Sequence, residues 1–335
     1  MSGGVDSSVA AALLKKAGFD VVGIFMKFWK DGKSGQNRCC SVESEKLARL
    51  VAKKIGIPFY VINAEKEFKK KVVDYFLAEY KKGNTPNPCV VCNKEIKFGL
   101  LLEKALKMGA DYVATGHYVK IKNKKLFKGA DKEKDQSYFL WQLDGKQISH
   151  VIFPVGDLTK PEVRKLAKKF DLPTAQTPES QEICFVSKDI NEFLKKYLKA
   201  KPGKIFDKTG KVLGKHEGLQ FYTIGQRRGL EIQQGPWFVV GKDLKKNILI
   251  VSKNQKDLLK KELVAGKVNW LSEQKFPLSA EAKIRYRSKL AKAKITKFGK
   301  KIKVVFEKPQ KAITSGQSVV FYKGKELLGG GVIDF

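Results

Sequence analysis

Two stretches carry residues whose types and spacing could do chemistry. The first is Met1-Ser2-Gly3-Gly4-Val5-Asp6-Ser7-Ser8, which runs into an apolar helical stretch, Val9 to Leu14. Adjacent glycines permit a tight turn, an acid follows, and two hydroxyls stand where a helix would start. Such a turn presents backbone N–H groups at the positive end of a helix, a seat for pyrophosphate or another anion. The spacing is neither that of a Walker loop nor that of a dinucleotide-binding turn. A plain glycine turn with Asp6 or Ser7 as N-cap competes with this reading. The second stretch is Thr85-Pro86-Asn87-Pro88-Cys89-Val90-Val91-Cys92-Asn93-Lys94. Its prolines hold the approach extended and place both thiols in a loop just ahead of a helix from Ile96. A helix N-terminus and nearby lysines favour thiolate there. A zinc knuckle or an inert packed pair competes, although zinc wants four ligands and no second CxxC exists.

Three further cysteines complete the set of five. Cys184 lies in Gln181-Glu182-Ile183-Cys184-Phe185, where a lone thiol beside Ile and Phe reads by itself as a buried apolar residue. The vicinal Cys39-Cys40 pair precedes a helix; a bridge between neighbours would be strained, and the pair reads as structural. An odd cysteine count in a long chain argues against a disulfide scaffold, and no signal peptide is seen, so a reducing cytoplasm is expected.

These residues need a scaffold. Val9 to Lys16 reads as a helix, Val21 to Phe25 as a buried strand, and Glu43 to Ile55 as a helix with Leu47, Leu50, Val51 and Ile55 at helical spacing. Phe59 to Ile62 and Tyr112 to Thr115 read as strands, Phe68 to Tyr80 and Ile96 to Met108 as helices. Alternating strands and helices imply an α/β domain on a parallel sheet, with ligands beyond the carboxyl ends of its strands. The glycine turn, Met26 and Gly116 fall at such ends. Past Lys199 the chain breaks into short segments, with strands at Trp237 to Val240 and Asn247 to Val251. A polar helix is expected near Gln255 to Leu263, then strands at Val268 to Leu271, Ala280 to Tyr286, Ala291 to Lys297, Lys301 to Phe306, Ser318 to Tyr322 and Glu326 to Val332, spaced as in a small barrel.

Lys+Arg 67 against Asp+Glu 34 leaves a net charge of +33 over 335 residues. That balance points to an acidic partner, foremost nucleic acid, with a merely lysine-rich solvated surface as the competing explanation. No run of eighteen apolar residues occurs, so no membrane-spanning helix is expected.

The order Ser-Gly-Gly-Val-Asp-Ser-Ser resembles the signature of the PP-loop ATP pyrophosphatases, which split ATP between the α and β phosphates and pass AMP to a substrate oxygen. Such proteins carry an apolar strand ahead of the motif; this chain opens inside it, so either the start of the sequence is late or the sheet lacks its usual first strand. Over essentially the whole chain the sequence resembles the bacterial tRNA-specific 2-thiouridylase family. The matching stretches are Ser2 to Ser8, Thr85 to Phe98, Ala114 to Tyr118, Asp131 to Leu140, Ser180 to Phe185, Tyr222 to Leu230 and Gly316 to Tyr322. The resemblance implies a PP-loop α/β domain over 1–198, a small, mainly β, tRNA-contacting domain over 199–262 and a C-terminal β-barrel over 263–335.

It also implies the activity: adenylation of C2 of the wobble uridine at position 34, then sulfur transfer that yields 2-thiouridine. ATP with Mg²⁺ would sit on Ser2, Gly3, Gly4, Val5, Asp6, Ser7, Ser8, Met26 and Gly116, with Asp6 organising the Mg²⁺-pyrophosphate. Cys184 would carry sulfur as a persulfide, and Cys92, the second thiol, would attack it, either freeing sulfide or taking the transfer step to a Cys92–Cys184 disulfide. Asn87, Pro88 and Cys89 would meet a target base splayed from its stack. Lys134, Asp135, Gln136, His117 and Gln317 would contact the anticodon arm of tRNAs accepting Lys, Glu or Gln. Arg285-Tyr286-Arg287 interleaves cations with an aromatic on a barrel strand, suited to phosphates and a stacked base, or reads simply as a strand with exposed cations. A cysteine desulfurase or relay protein would supply the sulfur. Cys89 stands where many members have Asp, so Cys89, Cys92 and Cys184 could instead ligate a 4Fe–4S cluster with one open iron. The cysteine-only and cluster routes both remain open, as do a different PP-loop enzyme (a 4-thiouridine synthase or amide-forming ligase) and a non-catalytic tRNA-binding paralogue.

Overall fold

The first helix, α1 (Val5–Lys16), begins at Gly4, whose extended backbone caps it with no side-chain acceptor. A computed structural model describes residues 1–32, 40–178, 183–186 and 189–334; Cys39 and Ser180 to Glu182 lie outside them. After α1 come β1 (Gly23–Lys27), α2 (Val42–Ile55), β2 (Phe59–Asn63), α3 (Glu65–Phe68), α4 (Asp74–Lys81), α5 (Pro88–Cys92), α6 (Leu101–Lys107), β3 (Val113–Ala114), β4 (Val119–Lys122), β5 (Lys125–Lys128), α7 (Gly145–Ser149), β6 (Val151–Ile152) and α8 (Lys160–Lys169). The remainder is α9 (Ile190–Tyr197), β7 (Gly203–Asp207), β8 (Val212–His216), β9 (Phe238–Asp243), β10 (Ile248–Ser252), β11 (Leu259–Trp270), β12 (Leu278–Lys283), β13 (Ala291–Phe298), β14 (Lys301–Lys311), β15 (Ser318–Lys323) and β16 (Glu326–Asp334).

Two compact units result: Met1–Val73 with Pro88–Ser187 and Lys325–Leu328, and Asp74–Asn87 with Lys188–Gly324 and Gly329–Phe335. In the first unit β1 pairs parallel with β2 and β3 parallel with β6. Parallel pairing demands helices as crossovers, and α1, α2 and α8 meet around a core of Val5, Val9, Ala10, Val51, Val163 and Ala167. α2 shows why its boundaries fall where they do. Ser41 caps it by accepting from Ser44 N–H, Glu43 and Glu45 sit in the first turn, Lys53 and Lys54 in the last, and Gly56 ends it at φ 66°, each matching the helix dipole or the left-handed cap.

The second unit holds two β structures. One is a sheet ordered β8-β7-β10-β9; the other is a barrel in which β11, β14, β13, β12, β15 and β16 follow one another and β16 pairs back onto β11. Leu263, Ala265, Ile295, Val304, Phe306, Val319 and Phe321 fill the barrel interior, and closure removes the open edges.

Three local expectations change. The thiols of the CxxC lie inside α5, not ahead of a helix, because Pro88 occupies a first helical turn where its missing N–H costs nothing. Only a 3₁₀ turn, Gln255–Leu258, replaces the polar helix before β11 begins. Arg285, Tyr286 and Arg287 follow β12 in a turn closed by Ser288, whose N–H and Oγ both donate to Arg285 O; they are not on a strand.

Candidate active site

The glycine turn is built by close approach. A Cβ on Gly3 (φ +74°) would lie 2.3 Å from Ser44 O, and one on Gly116 would lie 2.6 Å from both Asp6 C and Ser7 N. Only glycine lets the first turn of α2 and the end of β3 come this near. Ser7 Oγ and Ser8 Oγ each donate to Gly4 O at 3.0 Å, and Ser2 N–H donates to Ser7 Oγ at 3.2 Å. The serine hydroxyls therefore brace the turn, and neither Asp6 nor Ser7 caps α1. Its first amides keep no side-chain acceptor, which suits an anion. Met26, buried near the end of β1, stands at the carboxyl edge where a nucleotide is expected.

Asp6 is held by two partners the sequence reading did not name. Lys160 Nζ lies 2.6 Å from Asp6 Oδ1 and Tyr118 Oη donates to the same oxygen at 2.7 Å. The lysine side chain is 9% exposed and the aspartate 32%, so this ion pair is shielded on one side and open on the other. Lys160 sits in the first turn of α8, where a cation opposes the helix dipole. That misfit, together with the capping box of Thr159 and Glu162, is the sequence signal that could have singled it out.

The stretch Asp131 to Leu140 positions both partners. Asp131 Oδ2 accepts from Lys160 N–H at 2.9 Å, and Oδ1 accepts from the N–H groups of Glu133 and Lys134. Burial pushes the Asp131 carboxyl up, but these backbone donors outweigh it and hold it below the usual range. Gln136 clasps Tyr118 on both sides: its Oε1 accepts from Tyr118 N–H at 3.1 Å, and its own N–H donates to Tyr118 O. Asp135 is buried and accepts from Gly129 N–H, Ser137 N–H and Ser137 Oγ.

The thiols stand on neighbouring elements. Cys92 is buried on α5, Cys89 is exposed at its start, and Cys184 is half-buried in the turn Ile183–Val186. Phe185 packs edge-on against Phe68 at 5.8 Å, and α5 packs against the π-helical turn Lys69–Val73 that follows Phe68 directly. Cys40 is buried against the backbone of Phe28, a structural placement. Among the described residues no three His, Cys, Asp or Glu side chains converge as metal ligands. The cluster reading of Cys89, Cys92 and Cys184 therefore gains no support there; on the short helix α5 Cys89 is exposed and Cys92 buried.

Comparison with known proteins supplies the family. Profiles described as tRNA methyl transferase HUP domain, tRNA methyl transferase PRC-barrel domain and Aminomethyltransferase beta-barrel domain match residues 1–188, 191–253 and 260–333. The tRNA-specific 2-thiouridylase MnmA of Streptococcus sanguinis is 50% identical over 100% of this chain and 94% of its own length. That of Streptococcus mutans is 49% identical with the same coverage. This chain belongs to the MnmA family of tRNA-specific 2-thiouridylases. A Francisella tularensis NMN synthetase aligns over 53% of this chain and 63% of its own at 18% identity, TM-score 0.34. A predicted subunit of tRNA methyltransferase from Methanocaldococcus jannaschii aligns over 50% of this chain and 72% of its own at 22% identity, TM-score 0.32.

Within this MnmA-family chain the residues assigned to RNA divide by burial. His117 is buried between Phe98 and Phe153, its Nδ1 2.7 Å from Thr115 Oγ1; burial and the nearby Lys97 charge hold it well below its ordinary pKa. Its ring and the Asp135 carboxylate face the protein. Gln317 Nε2 donates to Thr85 O at 2.8 Å, and Lys242 Nζ donates to Gly83 O at 2.9 Å, so both brace the segment that ends at Asn87. Pro88 is buried and Cys89 exposed at the start of α5. Lys134 is half-buried, while Arg285 and Arg287 are exposed on either side of half-buried Tyr286. No described helix is long and apolar enough to cross a membrane.

Proposed function

We propose that this protein is a tRNA-uridine 2-sulfurtransferase that uses ATP to activate C2 of the wobble uridine at position 34 and replaces its oxygen with sulfur. The observation that carries the reading is the uncapped start of α1 beside Asp6, Lys160 and Tyr118 in a chain of this family. The amides of Gly4 to Ser8 suit the phosphates of ATP. Asp6 would hold the Mg²⁺, which supplies positive charge to the leaving pyrophosphate. Lys160, already charge-paired at this position, is suited to stabilising the same charge once metal takes over Asp6.

The uracil C2 oxygen is a poor leaving group, so it first attacks the α-phosphorus and pyrophosphate departs. The terminal sulfur of a Cys184 persulfide then attacks C2 and AMP leaves. Cys92 thiolate attacks the Cys184 sulfur, which breaks the sulfur–sulfur bond, leaves the base as 2-thiouridine and joins Cys92 to Cys184 as a disulfide. An external thiol reductant restores both cysteines, and a cysteine desulfurase or relay protein recharges Cys184. This cycle suits a reducing cytoplasm. tRNAs accepting Lys, Glu or Gln are the proposed substrates, with Asn87, Pro88 and Cys89 at the target base and Lys134, Arg285, Tyr286 and Arg287 on the RNA.

The test is mass spectrometry of tRNA nucleosides after reaction with ATP and a sulfur donor, with pyrophosphate release followed in parallel. Expected is 2-thiouridine at position 34, and one pyrophosphate for each. Absence of that nucleoside, with tRNA bound and donor present, would overturn the proposal.

A further inference from the structure

The stretch Tyr222 to Leu230 takes no part in the phosphate seat or the thiol pair, yet it is firmly built. Gln226 holds it together: Oε1 accepts from Thr223 N–H at 3.0 Å, Nε2 donates to Arg228 O at 2.9 Å, and its carbonyl accepts from Val239 N–H at the start of β9. Beyond it the chain passes through left-handed backbone at Glu231 (φ 44°) and Gln234 (φ 57°). Non-glycine residues keep that conformation only where surrounding structure imposes it.

The result is an open recess of about 360 Å³ lined by Arg227, Leu230, Glu231, Gln233 and Trp237, among others. Leu230 is buried and gives it an apolar floor. The Trp237 indole is fixed, its Nε1 donating to Gln233 O at 3.0 Å, so its polar edge is satisfied. Lys253 Nζ lies 4.9 Å from the ring centroid. Arg227, Arg228 and Lys253 are all exposed; Glu231 is the acid in the lining, and the three cations outweigh it. A rigid indole bordered by cations over an apolar floor suits a base stacked on the ring with its phosphate on the cations.

We propose that this recess binds one unpaired, non-reacting nucleotide of the RNA substrate, its base on Trp237 and its phosphate on Arg227 and Lys253. The inference rests on tRNA being the substrate. The test compares wild type, Trp237→Ala, Trp237→Phe and Lys253→Gln in binding a labelled tRNA transcript, a short single-stranded oligoribonucleotide and a duplex of the same sequence. Trp237→Ala should weaken tRNA and single-strand binding by roughly tenfold or more, Trp237→Phe should keep most of the affinity, and duplex binding should not change. Lys253→Gln should reduce the slope of log affinity against log salt by about one. Wild-type affinity for tRNA in Trp237→Ala, or equal losses on single strand and duplex with a lowered melting temperature, would overturn the recess as a nucleotide site. Failure of the wild-type chain to bind tRNA at all would overturn the substrate reading instead.

Discussion

The glycine turn proposed to seat phosphate and the two thiols proposed to relay sulfur are built on opposite principles. Around the seat every group is fixed: Asp6 answers to Lys160 and Tyr118, those two are positioned by Asp131 and Gln136, and glycines at 3 and 116 leave no room for another atom. The thiols differ from each other, with Cys92 buried on a helix and Cys184 half-buried in a turn. A charge-dense leaving group is best served by partners already in place, because preorganised charge needs no rearrangement at the moment of reaction. In the proposed cycle, sulfur arriving on another molecule needs one thiol within its reach, the role given to Cys184, and a second held back from it, the role given to Cys92.

If that contrast is right, the two regions should separate when broken. The largest effect is expected from Cys184→Ser and Cys92→Ser, each of which should abolish 2-thiouridine while pyrophosphate is still released on tRNA addition. Loss of pyrophosphate release in these variants would show that the two regions act as one. Asp6→Ala should do the reverse, cutting pyrophosphate release by on the order of a hundredfold or more and leaving Cys184 able to accept sulfur from a donor, as read by mass spectrometry of the intact chain.

How far this was visible beforehand depends on sequence separation. The glycine turn and the CxxC announced themselves because their chemistry is local, and short periodic strands marked the barrel correctly. Lys160 and Tyr118 did not, since each reaches Asp6 only through folding, across 154 and 112 positions. Lys134-Asp135-Gln136 was legible as a motif but not as a scaffold; Asp135 and Gln136 look exposed and polar in sequence, while their side-chain oxygens accept from backbone N–H groups. The helix at Pro88 was missed because a proline extends the residue before it and also opens helices, and nothing in Pro86-Asn87-Pro88 says which proline does which.

Intermediate effects sharpen the seat itself. Gly116→Ala forces a Cβ to within 2.6 Å of the Asp6 and Ser7 backbone, an overpacking expected to cost about 1–3 kcal/mol, read as a lowered denaturation midpoint together with weakened ATP binding. Gln136→Ala leaves Asp6 untouched but unclasps Tyr118, so the KM for ATP should rise a few-fold. An unchanged KM beside a lost tRNA affinity would instead make Gln136 an RNA contact.

The smallest expected effect concerns His117, which is buried between Phe98 and Phe153. Its ring is held neutral by burial and by Lys97, well below the ordinary value of 6.5. The unfolded chain therefore binds a proton that the folded chain refuses once the pH drops below about 6.5, and stability rises with pH through that window. As the pH falls below 6.5 the wild type should lose up to about 1.4 kcal/mol per unit from this group, and the loss should flatten only near the depressed folded value. His117→Gln should lower stability somewhat at pH 7.5 by loosening the contacts with Phe98 and Phe153, yet show a shallower decline toward acid. Urea denaturation of both proteins at pH 7.5, 6.5 and 5.5 measures the difference. Parallel declines would mean that His117 charges within the fold, and that its surroundings are more open to water than its burial indicates.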